Sequence, residues 1–254
     1  MKNNYFKAFA LIVFMLSVLT TYSQTRIQQE QITSRYDKSQ LQQLQSQFSQ
    51  KISIEKQKAL QMARTKNWPV TIEEDGRFME LQRVTDDGRP IYYTTFNVNA
   101  ARSTRTDHLN SGGSLGLSLD GQNMIGYVWD GGHARVTHQE YDGPGGTNRV
   151  TLQDTGSEGG TQLNFHAAHV TGTIMASGVQ ASAKGMAWHA QVYGYMWNND
   201  LSEATTAASN GMLLSNHSYG FRSDLVPDYY FGAYIGESRD WDNLMYNAPM
   251  YLWW

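Results

Sequence analysis

Between residues 115 and 220 the chain alternates short apolar runs with stretches of helical spacing, and this alternation restricts the fold more than any other feature. Met124-Ile125-Gly126-Tyr127-Val128-Trp129 is almost continuously apolar, as a strand buried on both faces requires, and it ends at Asp130-Gly131-Gly132. Further on, Ala167, Val170, Ile174 and Met175 fall on one helical face. Residues 190–196 read as a second strand, 202–209 as a helix and 212–220 as a third strand. Strands alternating with helices imply an α/β fold: a parallel sheet with right-handed crossovers and helices on both faces. A carboxylate at the carboxyl end of a buried strand stands where such sheets bind ligands, although an Asp there also serves to cap the next turn. His166 stands at the amino end of its helix. The positive end of the helix dipole there favours the neutral imidazole that a general base must be.

The first part of the chain has a different character. Lys2 and Lys7 precede the apolar run at 8–19, and Thr21-Tyr22-Ser23 supplies small residues for cleavage before Gln24, so residues 1–23 read as an export signal. That run is too short to span a bilayer comfortably. The expected location is outside the cytoplasm: secreted, periplasmic or on the cell surface. In residues 24–66 the apolar positions Leu41, Leu44, Phe48 and Ile52 keep helical spacing. Leu60 and Ala63 resume it after a candidate N-cap at Ser53. Asn67-Trp68-Pro69 ends the helix. Strands are expected at 70–72, 78–84 and 90–96, separated by Asp75-Gly76 and Asp87-Gly88 turns. The organisation is therefore a signal (1–23), a small helix-plus-β-hairpin appendage or pro-segment with its linker (24–106) and an α/β body (107–254).

The chain has no cysteine, which excludes a disulfide framework, thiolate zinc and a catalytic thiol. A net charge of −3 gives no bias toward nucleic acid or anionic membrane, and neither is expected as a partner once the signal is cleaved. The charge is unevenly spread. Residues 24–66 carry eight basic and three acidic side chains, while the remainder is acidic, so the two parts could attract each other.

Three segments carry a family resemblance. Val128-Trp129-Asp130-Gly131-Gly132 resembles the aspartate motif of the subtilisin-like serine proteases (subtilases, peptidase S8). The stretch FHAAHVTGTIMASG from Phe165 resembles their histidine motif, and LLSNHSYG, ending at Gly220, resembles the strand lining their substrate cleft. The order Asp then His agrees with the family's Asp, His, Ser. The resemblance implies that Asp130 orients the imidazole and that His166 takes the proton from a serine and returns it to the leaving amine. It also implies that Ser218, Tyr219 and Gly220 offer backbone groups to an extended polypeptide substrate as an added strand. Gly131 replaces the usual Ser or Thr, and Ala167-Ala168 replace Gly-Thr; neither change removes a reacting group. No cofactor is needed for this chemistry. Glu140 and Asp142 are candidate ligands for the structural calcium that subtilases often bind.

The nucleophile is not found. The family's serine lies roughly 150 residues beyond its histidine, and no Gly-Thr-Ser-Met-Ala-like segment occurs here. Residues 249–254 read as the start of a further strand. The expectation is a polypeptide incomplete at its carboxyl end and without peptidase activity of its own. Ser218 lacks the first glycine of a nucleophile elbow. His166 and His169 are three apart with Ala167 between them, whereas a zinc hydrolase helix needs His-Glu-x-x-His; His169 is expected to pack inside its helix. Gly143-Pro144-Gly145-Gly146 lacks the Lys-Ser/Thr of a phosphate loop and reads as a turn. A non-catalytic alternative, a secreted binding module, would use Tyr229, Tyr230, Phe231, Tyr234 and Trp241 as its face. In the protease reading, residues 24–106 serve as a pro-segment removed near Arg102 or Arg105.

Overall fold

The computed structural model describes residues 24–74, 77–95, 106–143, 146–156, 162–180 and 183–253. The segment expected to be an export signal (1–23), the expected Asp75-Gly76 turn, Phe96, Arg102, Arg105, Pro144 and Gly145 lie outside the described residues. No helix among the described residues is long and apolar enough to cross a membrane.

Helix α1 (Arg26–Thr33) opens with a reciprocal cap: the Thr25 side chain accepts from Gln28 N, and the Gln28 side chain accepts from Thr25 N. Helix α2 (Lys38–Lys66) starts at Asp37, which accepts from Gln40 N at 2.9 Å, and ends at Asn67 in the left-handed conformation, φ 56°. It runs unbroken through Ser53. The expected cap there is absent because one apolar stripe (Leu41, Leu44, Phe48, then Ala59 and Ala63) buries along the whole length. Strands β1 (Thr71–Glu74), β2 (Arg77–Val84) and β3 (Pro90–Thr95) follow as an antiparallel meander.

The expected alternation is present, with β5 and α5 added to it: β4 (Ile125–Asp130), β5 (Val150–Leu152), α3 (Phe165–Met175), β6 (Gln191–Met196), α4 (Asp200–Ser209), β7 (Leu214–His217), β8 (Tyr219–Phe221), α5 (Gly236–Asn247) and β9 (Leu252–Trp253). Five of these strands form a wholly parallel sheet in the order β5-β6-β4-β7-β9. Successive β4 residues point to opposite faces. Val128 joins the cluster with Val170 and Met175 of α3, while Trp129 joins the cluster with Leu201 and Ala204 of α4 and Trp241 of α5. Helices therefore cover both faces. After β4 the chain first places β5 two positions away on one side, fills the gap with β6, then crosses to β7 and β9 on the other. The carboxyl end of β4 is thus a point where strand order reverses, and a crevice opens at such a point.

Three features were not anticipated. The short strand β5 at Val150–Leu152 has no counterpart among the expected strands. The expected strand 212–220 breaks at Ser218. Leu214–His217 stays in the parallel sheet, while Tyr219–Phe221 leaves it and pairs antiparallel with β3 as the fourth strand of the meander. Helix α5 was hidden because its polar and aromatic residues mask the spacing of Trp241, Leu244 and Ala248, which face the core. The early helix also joins two cores: Leu41, Leu44 and Phe48 pack with Trp129 and Leu201, whereas Ala59 and Ala63 pack with Met79, Leu81 and Tyr92 of the meander.

Candidate active site

Asp130 is the last residue of β4 and has no solvent exposure. Its neighbours in register are Met196 at the end of β6 and, one step earlier, Trp129 beside His217 at the end of β7. Burial raises its pKa above the ordinary carboxylate value. The hydrogen bond and charge of His166, and the Gly131 N–H donating at 2.7 Å, act in the opposite direction.

His166 enters through the cap of α3. Asn164 has extended backbone, and its Oδ1 accepts from His166 N at 2.8 Å, so the imidazole leaves the first turn of the helix at a set angle. Asn164 was missed in the sequence, although Asn just before an apolar-periodic helix is a capping signal. The loop after β4 packs tightly against this cap: a Cβ at Gly132 would lie 2.7 Å from Asn164 Cβ. His166 is 3% exposed, and its Nδ1 stands 2.8 Å from Asp130 Oδ2 and 3.0 Å from Oδ1. Donation from Nδ1–H to this carboxylate puts the ring's lone pair on Nε2, a nitrogen able to accept a proton.

Ser218, Tyr219 and Gly220 lie beside the crevice, and one edge of β8 is already paired. Tyr219 and Gly220 pair with Thr95 and Thr94 of β3. Ser218 Oγ accepts from Asn216 Nδ2 at 2.9 Å, and Tyr219 OH donates to Asp200 Oδ2 at 2.7 Å. A cavity of about 330 Å³ opens next to β8, lined by Tyr93, His217, Tyr219, Phe221, Trp241 and Trp253.

Other candidates fall away from this centre. His169 is exposed rather than packed, because the helical face of His166 continues at Val170. Among the described residues no three His, Asp or Glu side chains converge as metal ligands. The residues at Glu140 and Asp142 do not fit a calcium ion. Both Glu140 oxygens accept backbone N–H groups, from Gly178 (2.7 Å), Val179 (3.0 Å) and Gln180 (2.7 Å), and this holds its pKa below the usual value against the effect of burial. The Arg149 guanidinium already occupies the neighbouring carbonyl oxygens of Met175, Trp188 and Ala190. Of the aromatic group, Tyr229, Phe231 and Tyr234 are exposed, whereas Trp241 is buried in the core.

No curated protein and no solved structure matches this chain. The model of the subtilase family (peptidase S8) matches residues 31–250, a span reaching well beyond the three motifs into α1 and α2. With a parallel sheet, an Asp and a His joined at its carboxyl end and a family match over most of its length, this chain belongs to the subtilase family.

Proposed function

We propose that the chain is part of an exported serine endopeptidase in which Asp130 orients the imidazole and His166 is the general base and then the general acid. The observation that carries this reading is the approach of both Asp130 oxygens to one nitrogen of His166 in a buried site. In that arrangement Nε2 accepts the proton of a serine hydroxyl as it attacks the scissile carbonyl. The imidazolium formed is stabilised by the adjacent carboxylate and returns the proton to the leaving amine. Water then repeats the cycle on the acyl-enzyme. Export is supported by Lys2, Lys7 and the apolar run at 8–19.

The amino-terminal unit supports a pro-segment role, because β3 lies antiparallel on β8 as an extended peptide substrate would. The attacking serine is not assigned among these residues, since no Gly-Thr-Ser-Met-Ala-like segment is present. The 254-residue polypeptide alone is therefore expected to give no fluorophosphonate adduct at a serine; an adduct would overturn its inactivity. In a protein carrying the serine motif on the same chain, Asp130→Asn should lower kcat about 10⁴-fold and His166→Ala about 10⁶-fold. Full peptidase activity in either variant would defeat the assignment.

A further inference from the structure

A second histidine–aspartate pair lies one loop away from the first. His133 and Asp154 have side-chain exposures of 0% and 2%, and His133 Nε2 stands 3.1 Å from Asp154 Oδ1, an ion-pair distance rather than an in-line hydrogen bond. Burying two such groups together is costly compared with an apolar pair of the same shape, so their presence calls for a reason beyond packing.

The backbone around them supplies one. Asp154 Oδ2 accepts from Met196 N at 2.6 Å, and Met196 is the register partner of Asp130 across β6 and β4. On the other side, His133 N donates to Gln162 O at 2.7 Å, and His133 O accepts from Asn164 N at 2.9 Å. Asn164 in turn caps α3 at His166 N. The contacts close a ring: Asp130, Met196, Asp154, His133, Asn164, His166 and back to Asp130.

We infer that His133 and Asp154 are positioning residues that lock the strand end bearing Asp130 to the helix cap bearing His166. They act through Met196 and Asn164, and neither is required to touch substrate. The pair fixes the separation of two elements, β4 and α3, that no direct covalent link holds at hydrogen-bond distance. The inference rests on the reading of Asp130 and His166 given above, and its test separates the two.

The test is proton NMR of the 254-residue chain carrying nitrogen-15 histidine. A proton held between His166 Nδ1 and Asp130 gives a low-field resonance, and its exchange with solvent reports how firmly the pair is closed. His133→Gln and Asp154→Asn conserve size, and each should speed that exchange by about tenfold or more at unchanged far-UV circular dichroism. Leu41→Ala, a cavity variant outside the ring, should leave the exchange rate unchanged under native conditions. Wild-type exchange in both ring variants would overturn the inference. So would unfolding of both, because the pair would then serve folding in general rather than this geometry. Survival of the resonance in Asp130→Asn would instead defeat the underlying Asp130–His166 reading.

Discussion

His217 occupies a row of rings laid across one face of the parallel sheet just below the site. It stacks on Trp129 at 5.1 Å, Trp129 stacks on Tyr195 at 4.3 Å, and Trp241 meets His217 edge-on at 4.9 Å. Its ring nitrogens lie 2.7 Å from Tyr219 OH and 3.0 Å from Ser215 Oγ, partners that suit a neutral imidazole. Burial pushes its pKa down to about 3. The unfolded residue titrates near 6.5, so in the window between the two values the unfolded chain holds a proton that the folded chain does not. Stability therefore falls as pH drops through that window, and His217 should account for a loss on the order of 3 kcal/mol between about pH 7 and 4. Urea unfolding at both pH values would show most of that loss disappearing in His217→Gln; an equal loss in the variant would remove His217 as its source. At this scale the sequence spoke unevenly. Asp130 and His166 were legible because they stand inside motifs at strand and helix ends. His217 and His133 were not, because a histidine's role depends on which rings or carboxylates arrive from distant elements.

Helix α2 does two jobs along one stripe. Its first half completes the core on the α4 face of the sheet, and its second half backs the meander. Phe48, 4% exposed, lies in the first half. Phe48→Ala should cost about 3–5 kcal/mol through lost transfer energy and the cavity left behind. Because that core includes Trp129 and Trp241, tryptophan fluorescence and far-UV circular dichroism should shift together in denaturant. Separation of the two transitions would mean that the helix folds apart from the body. The spacing of Leu41, Leu44 and Phe48 made the helix readable, and the run of good helix formers explains why it continues past Ser53. What the stripe packs against was beyond reach, since helical period records a buried face and not its partner.

The basic excess of residues 24–66 meets the acidic body in the ion pair of Lys51 with Asp240 at 2.6 Å, and Arg83 of β2 adds a second pair across the same boundary, with Glu237 at 2.8 Å. These pairs flank a shared apolar core, and salt screens exposed charges far more than apolar contact. Cleavage at Arg102 or Arg105 should therefore leave two pieces that co-elute in gel filtration even in molar salt. Separation at high salt would show that charge alone joins them. Retained pieces would keep β3 on β8, so a pro-segment of this kind would block the substrate edge after scission until it was displaced or degraded. By itself the sequence determined the β4, α3, β6, α4, β7 alternation that builds the sheet, the burial of β4 and the candidate pairing of Asp130 with His166, because periodicity and local motifs are written in neighbouring residues; it did not give β5 or α5. Tertiary structure alone decided that the strand expected at 212–220 divides between two sheets, that β3 fills the edge of β8, and that Asp154 and His133 close a ring behind the site. Backbone hydrogen bonding is nearly blind to side-chain identity, so which edges meet depends on how the whole chain packs.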